Sequence, residues 1–381
     1  MSMDRFGDKV CCNPTVKLKK QELYSVIDID QITPGYKTVR SVESIKYAGQ
    51  GGAKFQDHDV LFARITPCLE NGKMAVADTN GKNGIGSTEL FIFRGIDGVS
   101  DTDYVYYLLR MKHIRQLAAN SMTGASGRQR ADLDFIKRIQ WDFPDIKIQK
   151  KIASVLSPFD DLIEVNNKRI KVLEQMAENL YKEWFVRFRF PGHETAEFEN
   201  GIPKGWQISK VSDIAAIKAG GDRPDIFSDV PTEECPIPIF SNGIDKDGLY
   251  GYTNNAVIEK ESVTISARGT VGFVCLRRKP YVPIVRLVAV VPREKKITPF
   301  YLYYYLQRDS VIANGTSQQQ ITVPMISRKR IIIPQESLLQ KFDKYEYSIW
   351  SHMDKLKEQN QNLIKQRDLL LPRLMSGKLE V

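Results

Sequence analysis

Tyr104-Val-Tyr-Tyr-Leu-Leu-Arg110 and Tyr301-Leu-Tyr-Tyr-Tyr-Leu-Gln-Arg308 are two settings of one phrase, and the residues C-terminal to each repeat in the same order. The first leads into a polar stretch ending Ser126-Gly-Arg-Gln-Arg130, then Phe135-Ile136, Trp141-Asp-Phe-Pro144 and a long charged amphipathic segment. The second leads into Ser317-Gln-Gln-Gln320, Met325-Ile326, Ile331-Ile-Ile-Pro334 and another long amphipathic segment. From the polar stretch onward the copies keep a constant offset of about 190 residues, far above the period of a solenoid. The pattern predicts two homologous modules, each closed by a long helix.

A chain of 381 residues suits two domains of ordinary size, each with its own core. With 55 Lys+Arg against 46 Asp+Glu the net charge is +9 and the pI about 9.1, a balance that favours a polyanionic partner without requiring one. Cys11, Cys12, Cys68, Cys235 and Cys275 form no CxxC pair and have no His at metal-ligand spacing. Neither a zinc site nor a disulfide framework is expected, and a reducing cytoplasm fits best. No run approaches the roughly 18 apolar residues of a membrane span, and the polar N-terminal stretch has no signal-peptide core.

Both modules are expected to be α+β. In the first, Leu23–Ile27, Asp59–Ala63, Met74–Ala77 and Leu90–Phe93 have strand character, with turns expected at Asn71-Gly72 and Asn83-Gly84. Asp101-Thr-Asp103 then caps a helix carrying Tyr104, Leu108, Met111 and Ile114 on one side. The second module repeats the plan with Pro238–Phe240, Ser262–Ser266, Gly272–Leu276 and Leu287–Val291, then a helix from about Pro299. The sheets should be mixed or antiparallel.

The long segments carry heptads. With Ile163 at position a, the first seam reads Phe159, Ile163, Asn166, Ile170, Leu173, Ala177, Leu180, Trp184; the second reads Ile349, Met353, Leu356, Asn360, Leu363, Arg367, Leu370, Leu374. Each seam holds one Asn, the residue that fixes register in a coiled coil at some cost in stability. A helix packed only on its own module is the competing reading. Ser157-Pro158 followed by Asp160 and Asp161 predicts a helix from 158 to about 186, with the carboxylates in its positive first turn. Phe188-Arg-Phe-Pro-Gly192 should end it, and 191–205 should link the modules. From Phe159 to Trp184 such a helix rises about 38 Å, close to the ~34 Å of one turn of B-DNA.

Two places in each module have the chemistry to meet nucleic acid. The polar patch offers Ser126, Arg128, Gln129 and Arg130 in the first copy and Ser317, Gln318, Gln319 and Gln320 in the second. Arg pairs with guanine edges and Gln with adenine edges, so the copies share a position but differ in what they would read. The turn after a strand offers Arg64, Thr66 and Lys73 in the first module and Ser266, Arg268 and Thr270 in the second, basic groups beside hydroxyls for phosphate contact. An ordinary solvated loop and a plain hairpin turn are the competing readings. Tyr303, Tyr304 and Tyr305 stand at helical spacing and are expected in a core rather than under bases. No catalytic residue or metal site is expected. There is no phosphate loop, Gly49-Gln-Gly-Gly52 lacks the rest of a dinucleotide fingerprint, and four scattered histidines form no motif. Glu294-Lys-Lys296 has half of a nuclease pattern, with the other half about seventy residues away at Asp225, a match expected by chance.

Two variable modules, the second entered by Ile202-Pro-Lys-Gly-Trp-Gln-Ile-Ser-Lys-Val-Ser-Asp213 and each closed by a long helix, resemble the specificity subunit of type I restriction–modification systems. The helix endings Asn179-Leu-Tyr-Lys-Glu-Trp-Phe185 and Leu370-Leu-Pro-Arg-Leu-Met-Ser-Gly-Lys378 carry the resemblance most specifically. Arg5-Phe-Gly-Asp-Lys-Val10 corresponds to Lys210-Val-Ser-Asp-Ile-Ala215, but the first module lacks the Gly-Trp entry.

The resemblance implies target recognition domains at 1–144 and 191–334, and spacer helices at 145–190 and 335–381 paired as an antiparallel coiled coil. Each domain would read one half of a split double-stranded DNA site, with no enzyme activity and no cofactor in this chain. It further implies two modification subunits that methylate adenine with S-adenosylmethionine, restriction subunits that use ATP and Mg, and a cytoplasmic location with no membrane partner. A recognition subunit for a fused methylase–nuclease, and a nuclease or RNA-processing enzyme with a duplicated fold, are the other readings the residues leave open.

Overall fold

A computed structural model describes residues 3–125, 127–313 and 320–381, with the backbone alone at 309–313. The chain forms two compact units, Met1–Ile170 with Asp354–Val381, and Lys171–Met353.

Unit 1 is built on a mixed sheet of β1 (Val10–Cys12), β2 (Thr38–Arg40), β3 (Val60–Ala63), β4 (Met74–Asp78) and β5 (Leu90–Gly95), in the order β1-β5-β3-β4-β2. All neighbours are antiparallel except β2, which joins β4 in parallel. Successive strand side chains face opposite ways, and here both faces are covered. Val60, Phe62, Met74, Val76, Phe91 and Phe93 pack on one side with the Tyr104–Leu109 run. Leu61, Ala75, Ala77, Leu90 and Ile92 pack on the other with Ile27 and Phe55. The second face is capped by a smaller sheet of Leu23–Ile27, Glu43–Lys46, Ala53–Phe55 and Gly84–Gly86.

Two local expectations change. Asn83-Gly84 is not a turn, because Gly84 opens a strand pressed on the Phe55 ring, where a Cβ would lie 2.3 Å from ring carbon. The turn falls at Asn80-Gly81, both at positive φ. The Tyr-rich helix is capped by Asp101, whose carboxylate accepts from the Tyr104 amide at 3.0 Å. It breaks at Met111 into α1 (Thr102–Arg110) and α2 (Lys112–Asn120), and residues 104–109 are buried on every side rather than along one stripe.

Unit 2 repeats the main sheet as β6 (Ala215–Ala219), β7 (Ser262–Ser266), β8 (Val274–Arg277) and β9 (Leu287–Pro292) in the order β6-β9-β7-β8. Val263, Ile265, Val288 and Val290 pack with the Tyr301–Leu306 helix, and Ala289 turns the other way toward Tyr281 and Ile258. Tyr304 is buried and Tyr303 and Tyr305 are half-buried, the first donating its hydroxyl to Glu346 and the last to the Arg330 carbonyl. They form core and wall.

Each unit takes a length of both long helices, Ile146–Tyr181 and Glu336–Met375. The first helix starts at 146, not 158, and carries Pro158 within it. Asp145 caps this start, accepting from the Lys147 amide at 2.8 Å, and Ile152 and Leu156 are buried in the unit 1 core. Burying those two offsets the hydrogen bond that proline removes. Asp160 is correspondingly not a first-turn carboxylate at a helix end but a buried one. A π turn at Lys182–Val186 and Phe188 at φ +56° end the helix.

Within unit 1 the two helical lengths run antiparallel, with Asn166 against Asn360 and Asp160 against Arg367. Within unit 2 they do so again, Tyr181 and Trp184 meeting Phe342 and Trp184 also meeting Tyr345. Every seam position is buried or half-buried, from Phe159, Ile163, Ile170, Leu173 and Leu180 to Met353, Leu356, Leu363, Leu370 and Leu374. Among the described residues no helix is long and apolar enough to cross a membrane.

Candidate nucleic-acid interface

In each unit the turn after the strand and the described end of the polar patch, Arg64 with Arg130 in unit 1 and Arg268 with Gln320 in unit 2, each pair more than fifty residues apart in sequence, pack into one site at the end of the main sheet. In unit 1, Arg64 leaves β3 with its amide donating to the Glu89 carbonyl at 3.0 Å, while its carbonyl accepts from Ala131 at 2.8 Å. Thr66 donates from both its amide, at 3.0 Å, and its hydroxyl, at 3.2 Å, to the Gln129 carbonyl. Arg130 and Thr123 exchange a backbone pair at 3.1 and 3.0 Å, closing the polar patch into a narrow loop. Unit 2 repeats the frame: the Ala267 amide donates to the Arg286 carbonyl at 2.8 Å, and its carbonyl accepts from Ile321 at 2.9 Å.

The side chains on that frame differ. In unit 1 Glu89 holds both arginines, accepting from Arg130 at 2.6 Å and from Arg64 at 3.4 Å. Arg130 above all, and then Arg64, hold the Glu89 carboxyl below the usual carboxylate range. Arg128 is exposed, and its guanidinium has no partner among the described residues. In unit 2 Arg268 donates to the Gln320 side chain at 2.9 Å, and Asn242 ties the turn by donating to the Arg268 carbonyl at 2.9 Å.

Several expected residues take other roles. Ser266 is fully buried and cannot reach a ligand; it ends β7, and its hydroxyl lies 3.4 Å from the Asn242 carbonyl. The Thr270 hydroxyl also donates to the Asn242 carbonyl. Lys73 donates to the Ile29 carbonyl at 3.0 Å and lies 3.8 Å from Asp30, bracing the turn. Ser126, Ser317, Gln318 and Gln319 lie outside the described residues. Glu294 of the half nuclease pattern pairs with Lys260 at the surface, and the described residues hold no group of His, Cys, Asp or Glu able to bind a metal.

Glu89, Asn242 and Arg286 had no signal of their own in the sequence. Glu89 and Arg286 become visible only when Leu90 is paired with Ala63, and Leu287 with Ser266, across antiparallel strands. That pairing is a register, which composition does not reveal.

Tandem modules of like backbone and unlike side chains, each closed by antiparallel helices, define a duplicated scaffold. The chain belongs to the family described as "Type I restriction modification DNA specificity domain", which matches residues 10–175 and 203–368, one copy per repeat. It is 29% identical to the type I restriction enzyme MjaIX specificity subunit of Methanocaldococcus jannaschii, over 97% of this chain and 90% of that one. It is 22% identical to the HindI specificity subunit of Haemophilus influenzae, over 87% and 88%. The fold is similar to that of the type I restriction–modification S subunit of M. genitalium, with a TM-score of 0.56 at 16% identity over 98% of this chain and 95% of that one. The role of such a family member is DNA sequence recognition, and it carries no catalysis.

Proposed function

We propose that this chain reads a split DNA site, unit 1 taking one half and unit 2 the other, and that the paired helices set the gap between the halves. What supports this reading is the shared backbone frame: Arg64 and Ala267 make equivalent hydrogen bonds in the two units, yet the side chains around them are Arg, Glu and Arg in one and Ala, Arg and Gln in the other. Arg128, Arg130 and Arg64 supply donors suited to guanine edges and phosphate in unit 1, where Gln129 suits an adenine edge; in unit 2 Arg268 suits guanine or phosphate and Gln320 an adenine edge. The net charge of +9 adds a sequence-independent attraction for the duplex.

The partners of this reading are double-stranded DNA, two adenine-methylating modification subunits that bring S-adenosylmethionine, and restriction subunits that bring ATP and Mg. The chain would hold them through the helices and act without a cofactor of its own.

The test is a module exchange. Replacing residues 200–335 with the corresponding segment of another family member, in the assembled methyltransferase, should change one half of the methylated sequence and leave the other intact. Sequencing that shows both halves changed, or neither, refutes the assignment of one half-site to each unit.

A further inference from the structure

Glu89 and Arg286 occupy one position in the two units, and we infer that the residue at this position determines which base edges each unit accepts. The equivalence rests on hydrogen bonds rather than on sequence likeness. Each residue immediately precedes the strand lying beside the one that leads into the site, Leu90 in unit 1 and Leu287 in unit 2. Each offers its carbonyl to the amide of the first residue past that neighbouring strand, Arg64 at 3.0 Å and Ala267 at 2.8 Å. The residue across the loop is then Arg130 in one unit and Gln320 in the other, each directly before the amide that returns to the frame, Ala131 and Ile321.

The trio is therefore Arg64, Glu89 and Arg130 in unit 1 and Ala267, Arg286 and Gln320 in unit 2. Both trios carry a net charge of +1, so their pull on phosphate is alike while their donor patterns are not. In unit 1 Glu89 grips the Arg130 fork at two points, Nε at 2.9 Å and Nη2 at 2.6 Å. A guanidinium held this way loses little freedom on binding and keeps its remaining N–H groups in a fixed direction. In unit 2 the same position places the cation itself at the surface: Arg286 is exposed, with no side-chain partner among the described residues. Its backbone sits at φ +72°, a left-handed conformation uncommon for a bulky residue and often found where a side chain must be aimed. Glu89 is thus a positioning residue, and Arg286 a direct donor.

This inference rests on the half-site reading, and its test separates the two. The full chain, assembled with its methyltransferase partner, is used to select from a library of DNA duplexes randomised in both half-sites and in spacing. Wild type should return a bipartite sequence. Glu89→Gln should lower discrimination about tenfold at one or more positions of one half only, and Arg286→Ala should do so in the other half only. Glu89→Asp, which keeps the charge on a shorter stem, should retain part of the preference. Unchanged sequences from both Glu89→Gln and Arg286→Ala, or equal weakening on every sequence, would overturn the inference while leaving the half-site reading standing. A wild type that selects no bipartite sequence would overturn both. Arg286 is exposed, so its variant decides the matter should Glu89→Gln lower the melting temperature.

Discussion

Asp160 and Arg367, more than two hundred residues apart in sequence, form an ion pair in unit 1 with both side chains closed to solvent. The Tyr107 hydroxyl donates to the same carboxylate at 2.6 Å, and Arg367 also donates to the Gly35 carbonyl at 3.1 Å. At the repeat offset the two positions become Trp350 and Ala177. Unit 2 keeps the tyrosine, Tyr304, which donates to Glu346 at 2.8 Å while the Trp350 indole donates to Glu346 at 3.2 Å. Unit 2 thus buries a carboxyl with no guanidinium in the place of Arg367.

Removing one partner of the unit 1 pair leaves a buried charge unanswered. Arg367→Met should destabilise unit 1 by about 3–5 kcal/mol, seen as an early transition in denaturant unfolding. Adding Asp160→Asn, which still accepts from Tyr107, should restore most of that loss. A double variant no better than the single would show that Arg367 acts through packing alone.

The unit 2 carboxyls give a pH dependence of definite sign. Burial raises Glu346 from 4.5 to about 7, and it raises Asp343, one helical turn away, to about 7 as well. Both folded values lie above the unfolded ones, so the unfolded chain binds fewer protons between pH ~4.5 and ~7. The stability these groups contribute is complete below that window and is lost as pH rises through 7. Melting temperatures of unit 2 should fall over this range, and Glu346→Gln should flatten the profile. A wild-type curve that is flat or rises there would contradict the burial argument.

Asn166 donates to Asn360 at 2.8 Å and Asn360 to Asn167 at 2.9 Å. A single Asn360→Leu leaves the buried Asn166 amide with only the Gln359 side chain as acceptor, at 3.1 Å, and should cost about 1–3 kcal/mol. Asn166→Leu with Asn360→Leu should recover stability and loosen register. Cysteine pairs placed at neighbouring registers, which cross-link only where the helices slip, would measure that second effect.

Inserting seven residues between Arg169 and Leu173 preserves the seam and adds about 10 Å of rise. If the helices act as the ruler, the gap in the methylated sequence should lengthen or assembly should fail. An active complex with unchanged spacing would refute the ruler.

Much of this architecture is legible in the sequence because it depends on local pattern. The strands around Val60, Met74, Leu90, Ser262 and Leu287 show as short apolar runs, and the seams show as heptads in which even Asn166 and Asn360 stand out. The hidden parts depend on pairing at a distance. Ser157-Pro158 has the form of a helix start, and only the core contacts of Ile152 and Leu156 carry the helix through it. Ser266 has the chemistry of a phosphate contact until the adjoining strands bury it. Glu89 is one acidic residue among many until the strand register sets it against Arg64 and Arg130.

Unit 2 is a single uninterrupted stretch, Lys171–Met353, whereas unit 1 is completed by Asp354–Val381. During synthesis the module begun first must therefore wait: Asp160 lies without its counter-ion, and Leu156 without Leu371 and Leu374, while the later module already has every residue of its own core. An elongating chain should acquire its protease-resistant parts in the reverse of their order along the gene, with closure of the earlier module as the last step.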